Sequence, residues 1–235
     1  MFWVIAIGCA AAGFAAYRLL FTPDARTRRA LRAVPRTPLR QIEAGVVRVS
    51  GTVRSRGELL RSPVTERPCV AYVLVVEEGT GNNHWKARIE RREARPFLVV
   101  DGGAQALIEA SDCFQLLLVE DEEGGNRWFD PDDAHFDRVL QLVRAAGVDA
   151  EGLFGGTKRF RYREGVLEEG EVVTVRGLAA RDQRLDGERP SPRDPPELVV
   201  LRGTPAEPLR ISDEPGLVDE LGLILERERR ERGRE

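Results

Sequence analysis

The sequence predicts a mainly β (α+β) protein: an antiparallel, OB-like or barrel-like β domain with one helical insertion, preceded by an N-terminal transmembrane helix. Three observations lead to this fold class. Residues 1–17 carry no charge, which is typical of a membrane segment. From Val46 onwards, apolar residues recur with the period of two that a half-buried strand shows. A segment that follows Asp130 has the spacing of a helix instead.

The hydrophobic segment comprises residues 1–21 and is interrupted only by Arg18. Its length is close to the ~20 residues that a helix needs to cross the hydrocarbon core. Arg18 lies near one end, where its side chain can reach the headgroups, and Trp3 and Tyr17 take the positions of interfacial aromatics. A cleaved signal peptide would need a basic stretch before the apolar run and a small-residue cleavage site after it, and neither is apparent. We therefore expect a single-pass membrane protein.

Residues 22–38 are predicted to form a basic juxtamembrane helix. It begins with Thr22 as the N-cap and Pro23 at the first helical position. Because positive charge stays on the cytoplasmic side, the cluster places the N-terminus outside and the folded domain in the cytoplasm. It also predicts attraction to the lipid bilayer, at ~1 kcal/mol per basic residue near the surface. The membrane-proximal basic residues are Arg26, Arg28, Arg29, Arg32, Arg36 and Arg40.

Residues 39–212 are predicted to form the β domain. Alternation over 70–77 and 85–92, with Gly and Asn residues between them, predicts a β-hairpin. Residues 46–51 and 172–177 share the pattern V-V-x-V-x-G, which indicates either two β substructures with a similar opening or a chance match between unrelated strands. Further strands are expected at 97–100, 104–109, 114–119, 172–178, 198–201 and 209–211.

Helical patterns occur at two further places. Asp130 and the acids after it predict an N-cap and an acidic first turn. The helix that follows should pack on the sheet through the apolar residues Phe136, Val139, Leu140 and Val143. Residues 181–197, rich in Pro, Asp and Arg, predict an exposed loop. Ser212 and Asp213 then predict the cap of a charged amphipathic C-terminal helix over 213–235.

The sequence offers few residues for catalysis or metal binding. Its three cysteines lie far apart without a CxxC pair, and its two histidines are His84 and His135. Cys69 and Cys113 border apolar strands, which favours buried thiols over nucleophiles. The phosphate-loop spacing, the EF-hand pattern and the GxSxG elbow are missing. We therefore predict no catalytic, cofactor-binding or metal-binding residue and no cofactor.

Nucleic acid is not an expected partner, because a net charge of -3 lacks the general positive character of nucleic-acid-binding chains. Trp85, Trp128 and Phe129 would suit stacking on bases if the domain is OB-like. Packing within the core or the hairpin is the favoured alternative, since the sequence shows no basic aromatic groove.

A series of short motifs carries a family resemblance. They are E-A-G at 43–45 leading to V-S-G-T-V at 49–53, S-P at 62–63, C-V-A-Y at 69–72, P-F-L-V-V-D-G-G at 96–103, E-E-G-E-V-V-T-V-R-G at 168–177 and L-R-I-S at 209–212. In order and spacing they resemble the GIDE domain, also called the beside-a-membrane (BAM) domain, of mitochondrial ubiquitin ligases and bacterial membrane proteins. The resemblance implies an interaction domain that lies next to a membrane.

The eukaryotic members of that family are E3 ubiquitin ligases because a zinc-binding RING module follows the domain. Two tetrahedral zinc sites need more ligands than the three cysteines and two histidines of this sequence. The family's second membrane helix is missing as well, so its two-pass topology is not expected here. We expect a non-enzymatic protein-interaction or scaffold module, with the bilayer and an unidentified membrane-proximal protein as partners. A ubiquitin-ligase-like role by descent, and OB-like binding of a ligand or single-stranded nucleic acid, are the alternatives.

Overall fold

A computed structural model describes residues 22–80, 84–110, 113–125, 134–151, 158–181 and 199–218. Strands predominate in these ranges, which confirms the predicted mainly β fold. The described α-helices are α1 (Pro23–Arg32) and α2 (Ala134–Ala145). The strands are β1 (Gly45–Ser55), β2 (Leu60–Arg61), β3 (Pro68–Cys69), β4 (Ala71–Gly79), β5 (Trp85–Ala94), β6 (Phe97–Asp101), β7 (Ala104–Glu109), β8 (Phe114–Leu117), β9 (Glu122–Gly125), β10 (Phe160–Leu167), β11 (Val172–Arg181), β12 (Val199–Arg202) and β13 (Leu209–Ser212).

Five of these strands close into a barrel-like sheet. Their order around the ring is β1-β6-β7-β12-β11, and β11 pairs with β1 to close it. β13 and then β8 extend the sheet beyond β11. The predicted antiparallel arrangement is correct for most pairs and wrong for two, because β12 runs parallel to β7 and β13 runs parallel to β8. Long connections separate the partners of both parallel pairs, as a parallel pairing requires.

The two segments that share the pattern V-V-x-V-x-G lie side by side in this barrel, as β1 and β11. β1 changes partner from β11 to β6 beside Gly51, and β11 changes partner from β13 to β12 at Gly177. A Cβ on Gly51 would lie 2.6 Å from the carbonyl oxygen of Val100, and one on Gly177 would lie 2.6 Å from Cδ1 of Leu209. The shared motif therefore marks two strands that bend at barrel corners, where glycine permits close approach, rather than two separate substructures.

A second sheet of four strands, in the order β5-β4-β10-β9, is formed by two insertions into the barrel. β4 and β5 lie in the chain between β1 and β6 and form the predicted hairpin. β9, α2 and β10 lie between β7 and β11. The insertions join where β4 pairs with β10, from Ala71 opposite Leu167 to Glu78 opposite Phe160.

Each sheet has its own hydrophobic core. The barrel interior is filled by residues such as Val49, Val53, Phe97, Ile108 and Leu201. α2 packs on one face of the second sheet, which confirms the predicted helical insertion. Its predicted apolar residues Phe136, Val139, Leu140 and Val143 are all buried there against Leu74, Val76, Phe160 and Tyr162.

α1 is shorter than the helix predicted over 22–38. Its start is as predicted: the Thr22 hydroxyl accepts a hydrogen bond from the Ala25 N–H at 3.2 Å, and Pro23 opens the helix. The helix ends at Arg32, because a residue that precedes a proline avoids helical backbone angles and Pro35 follows. The chain then leads to a 3-10 turn at Leu39–Gln41.

The predicted transmembrane helix at 1–21 lies outside the described residues, as do 219–235 of the predicted C-terminal helix. Within the described ranges, no helix has the length and apolar character that crossing a membrane requires. Residues 213–218 form a turn instead of the expected start of a helix. The Leu217 carbonyl, which a helix would use internally, accepts hydrogen bonds from Arg48 at 2.6 Å and from the Thr174 hydroxyl at 3.0 Å.

Candidate functional site

The four-stranded sheet turns one face towards α2 and leaves part of the other face accessible. Because side chains alternate along a strand, Phe160 and Tyr162 of β10 pack against α2, whereas Arg161 and Arg163 lie on the opposite face. Arg159, just before β10, is exposed and continues this row of arginines. We call this surface the open face.

Trp85, the first residue of β5, lies beneath two of these arginines. The guanidinium carbon of Arg161 is 4.4 Å from the centroid of the indole ring, and that of Arg159 is 5.4 Å away. Both distances are within the range of a cation–π interaction. Arg161 also donates to the Glu77 carboxylate at 2.6 Å, whereas Arg159 has no ion-pair partner among the described residues.

A groove with a volume of about 500 Å³ runs along the open face. At one end Gly79 and Gly125, on the strands beside β10, lie next to Arg159 and Arg161 and leave the two guanidinium groups uncovered. Gly125 is required for this approach, since a Cβ there would lie 2.7 Å from the carbonyl oxygen of Phe160. At the other end Arg163 donates to Glu120 at 2.7 Å, and the exposed Glu123 lies opposite Arg163 on β9.

A smaller cavity of about 100 Å³ continues from the groove towards α1. Glu120 and Arg163 line both spaces. The other walls of the smaller cavity are apolar side chains of β4 and of the segment around β8, together with Asp24 and Arg92. Asp24 is the second residue of α1. The groove and the smaller cavity together therefore reach the first turn of α1.

α1 is fastened to the barrel by apolar and polar contacts. Leu31 is completely buried and packs with Leu117 of β8 and Leu217 of the C-terminal turn. Arg176 of β11 donates to the Ala30 carbonyl at 3.0 Å and so satisfies a carbonyl group in the last turn of the helix.

The six predicted membrane-proximal arginines form two groups. Arg26, Arg29 and Arg32 are exposed on α1 and form no ion pair with the described residues. The others bind the folded domain: Arg28 pairs with Glu214, Arg36 pairs with Asp101 at 2.9 Å, and Arg40 donates to the Gly102 carbonyl at 2.7 Å. Arg40 is exposed as well, but its guanidinium group is bound to the Gly102 carbonyl, so Arg26, Arg29 and Arg32 are the most accessible to lipid.

The described thiols and histidines do not line the groove on the open face. Cys69 is buried, as predicted, and burial together with the charge of Glu164 raises the pKa of its thiol to about 12. Cys113 is partly exposed, and neither cysteine forms a disulfide. In the described ranges, no three His, Cys, Asp or Glu residues are grouped so as to hold a metal ion. Trp128 and Phe129, considered above for stacking, lie outside the described residues.

The burial of Glu164 was not predicted from the sequence, and Asp213, which was predicted to cap a helix, is half-buried instead. Glu164 of β10 is fully buried, and its carboxylate accepts from the N–H groups of Val64 and Thr65 at 2.8 and 3.0 Å and from the Thr65 hydroxyl at 2.6 Å. Asp213 accepts from the Val119 N–H at 2.8 Å, and its burial raises the pKa of this carboxyl to about 7.

β10, which supplies the arginine row of the open face, was not predicted from the sequence. Its sequence F-R-Y-R-E-G-V-L begins with the alternation of a strand, but Glu164 and Gly165 interrupt the apolar positions. Alternation of Phe160 and Tyr162 with two arginines was the available signal.

Comparison with models of known protein families, with curated proteins and with solved structures found no match to this chain.

Proposed function

We propose that this chain is a non-enzymatic protein-interaction or scaffold module that residues 1–21 anchor to a membrane by a single transmembrane helix. The N-terminus is then outside and the β domain is cytoplasmic, because the arginines follow the hydrophobic segment. The bilayer and a membrane-proximal protein are its partners.

The packing of α1 is the observation that carries this proposal. α1 begins directly after the hydrophobic segment, at Pro23, and its buried Leu31 fixes it to the barrel. A barrel attached in this way lies next to the bilayer rather than at the end of a free linker. The exposed Arg26, Arg29 and Arg32 give the same helix a positive surface that anionic headgroups attract.

The number and order of the barrel strands support an OB-like fold. The barrel has five strands, in the order β1-β6-β7-β12-β11, and the OB fold is a five-stranded Greek-key barrel. OB folds bind ligands on the face of their second and third strands, which correspond here to β6 and β7. The outward side chains described on these strands include Leu98, Val100, Gln105 and Glu109 and no aromatic residue. This surface favours a protein partner over stacked bases.

The resemblance to the GIDE domain supports the same placement beside a membrane. A ubiquitin-ligase activity receives no support from the chain's chemistry, since five Cys and His residues are too few for two tetrahedral zinc sites.

Protease protection tests the topology. The full chain with a C-terminal tag is expressed in cells, and right-side-out membranes are treated with protease before and after permeabilisation. We expect the tag to be protected until the membrane is opened. Immediate digestion would invert the proposed orientation, and recovery of the chain in the soluble fraction would refute membrane anchoring.

Site-specific crosslinking tests the interaction role. Val46 and Leu178 are exposed apolar neighbours on β1 and β11, so a photo-crosslinking side chain at Val46 should capture a protein partner in native membranes. The matched control is the same group at Gln141, an exposed position on α2. A uniform background at both positions would contradict an interaction surface on the barrel.

A further inference from the structure

We propose that the groove on the open face binds the headgroup of an ethanolamine phospholipid, with the phosphate on Arg159 and Arg161 and the ammonium group on Glu123 and Glu120. This inference rests on the proposed membrane anchoring, and it assigns to the second sheet a contact that the α1 arginines do not make.

The position of the groove favours a lipid as the occupant. The groove shares Glu120 and Arg163 with the cavity bounded by Asp24, and Asp24 is only three residues from the hydrophobic segment at 1–21. A bilayer that holds residues 1–21 therefore lies close to this side of the domain.

The phosphate end of the groove is defined by the arginines beside Trp85. Arg159 is exposed and has no ion-pair partner among the described residues. Arg161 forms an ion pair with one described residue, Glu77. Their guanidinium groups are oriented by stacking on Trp85, so binding a phosphate orders few additional bonds. Guanidinium groups bind phosphate oxygens with two parallel hydrogen bonds.

The ammonium end is defined by the acids of β9 and the preceding segment. Glu123 is exposed and has no ion-pair partner in the described part of the chain, whereas Glu120 is paired with Arg163. Glu123 and Arg161 are diagonal neighbours on adjacent strands, at a separation of ~7–8 Å between their backbones. Long side chains span such a distance to a phosphate and an ammonium that belong to one short headgroup.

The choice of ethanolamine over other headgroups follows from both signs of charge. A purely anionic headgroup would leave Glu123 facing a negative ligand. A choline group needs aromatic faces, and both described arginines near Trp85 already stack on its ring. A primary ammonium donates three hydrogen bonds and is suited to carboxylates.

The test uses the full chain in nanodiscs. With Trp3→Phe and Trp128→Phe, Trp85 becomes the sole tryptophan, and its quenching by a spin label on lipid headgroups is measured. The control reporter carries Gln141→Trp and Trp85→Phe and lies on α2, behind the sheet. We expect strong quenching of Trp85 and little quenching of the control reporter.

Headgroup preference is then measured by titrating phosphatidylethanolamine into phosphatidylcholine nanodiscs and following Trp85 emission. The midpoint is the phosphatidylethanolamine content at which half of the change in Trp85 emission has occurred. Arg159→Gln and Glu123→Gln should each raise this midpoint about fivefold, the effect of one lost charge contact at the surface. Neither residue has an ion-pair partner in the described ranges, so both variants should keep the fold. Glu58→Gln, an exposed acid that does not line the groove, should leave the midpoint unchanged.

The outcomes separate the two proposals. A third reporter carries Trp85→Phe and Trp128→Phe, so that Trp3 is its sole tryptophan. If brominated acyl chains do not quench this reporter, membrane anchoring is refuted. If Trp3 is quenched and Trp85 behaves like the control reporter, only the headgroup site is overturned. A response to phosphatidylglycerol or to a single-stranded oligonucleotide in place of phosphatidylethanolamine would also overturn it.

Discussion

Removal of the buried carboxylate of Glu164 should destabilise the second sheet strongly. Glu164 has no exposed surface, and it fastens the turn over 62–66 to β10 through the N–H groups of Val64 and Thr65 and the Thr65 hydroxyl. The turn includes Glu66 with a φ of 56°, a backbone angle that a non-glycine residue keeps only when its surroundings hold it.

The magnitude follows from the donors left without an acceptor. Each buried N–H that loses its partner costs about 1–3 kcal/mol, and relaxation of the turn recovers part of this, so Glu164→Ala should lower the free energy of unfolding by about 3–4 kcal/mol. Glu164→Gln keeps one acceptor oxygen but turns an amide donor towards another donor, so it should lose about 1–2 kcal/mol.

The nearby thiol provides the assay. Cys69 is completely buried, so it reacts with a thiol reagent only when the structure around it opens. Labelling is followed against urea in the full chain in detergent, with Cys9→Ala and Cys113→Ser as the background. Glu123→Ala is the matched control and should change stability by less than about 0.5 kcal/mol, since Glu123 is exposed. Equal stability of the Glu164→Ala and Glu123→Ala variants would refute the reasoning.

Three further changes should have measurable effects. The pKa of Asp213 is raised on folding from 3.8 to about 7, so its stabilising contribution is full below its ordinary pKa and is lost as the pH rises through 7. The wild type should therefore lose stability relative to Asp213→Asn between about pH 4 and about pH 7, and a constant difference would contradict this. Gly51→Ala places a Cβ 2.6 Å from the backbone carbonyl oxygen of Val100 and should lower the free energy of unfolding in urea by about 1–3 kcal/mol. The control Gly216→Ala meets only the flexible side chain of Arg32 at 3.9 Å and should change it little; equal losses would refute the packing argument. Leu217→Ala removes the contact with Leu31, so it should lower the free energy of unfolding by about 2–4 kcal/mol and increase proteolysis within α1. Unchanged proteolysis would show that the C-terminal turn does not hold α1 in place.

Much of the fold was predictable because its signals are local. The hairpin of β4 and β5, the strand β7 and the apolar stripe of α2 each depend on periodicity within one short segment. The N-cap at Thr22 depends on neighbouring residues as well. These elements were therefore correctly placed.

The candidate site was less predictable, because its residues come from distant parts of the chain. Trp85 meets Arg161 only through the pairing of β5, β4 and β10, and no local pattern reports that pairing. The six arginines form one cluster in the sequence. In the fold, however, Arg28 and Arg36 form ion pairs with Glu214 and Asp101, which lie far from them in the chain.

The sequence by itself determined the hairpin of β4 and β5, the strand β7, the helix α2, the region where the arginines concentrate, and the repeat of the V-V-x-V-x-G motif. The tertiary structure alone decided that the two copies of this motif pair with one another and that β12 runs parallel to β7. It also decided that the Glu164 carboxylate of β10 is buried against the turn over 62–66. The physical reason is that hydrophobic periodicity and capping act over a few residues, whereas barrel closure and the burial of a charge depend on contacts between residues far apart in the chain.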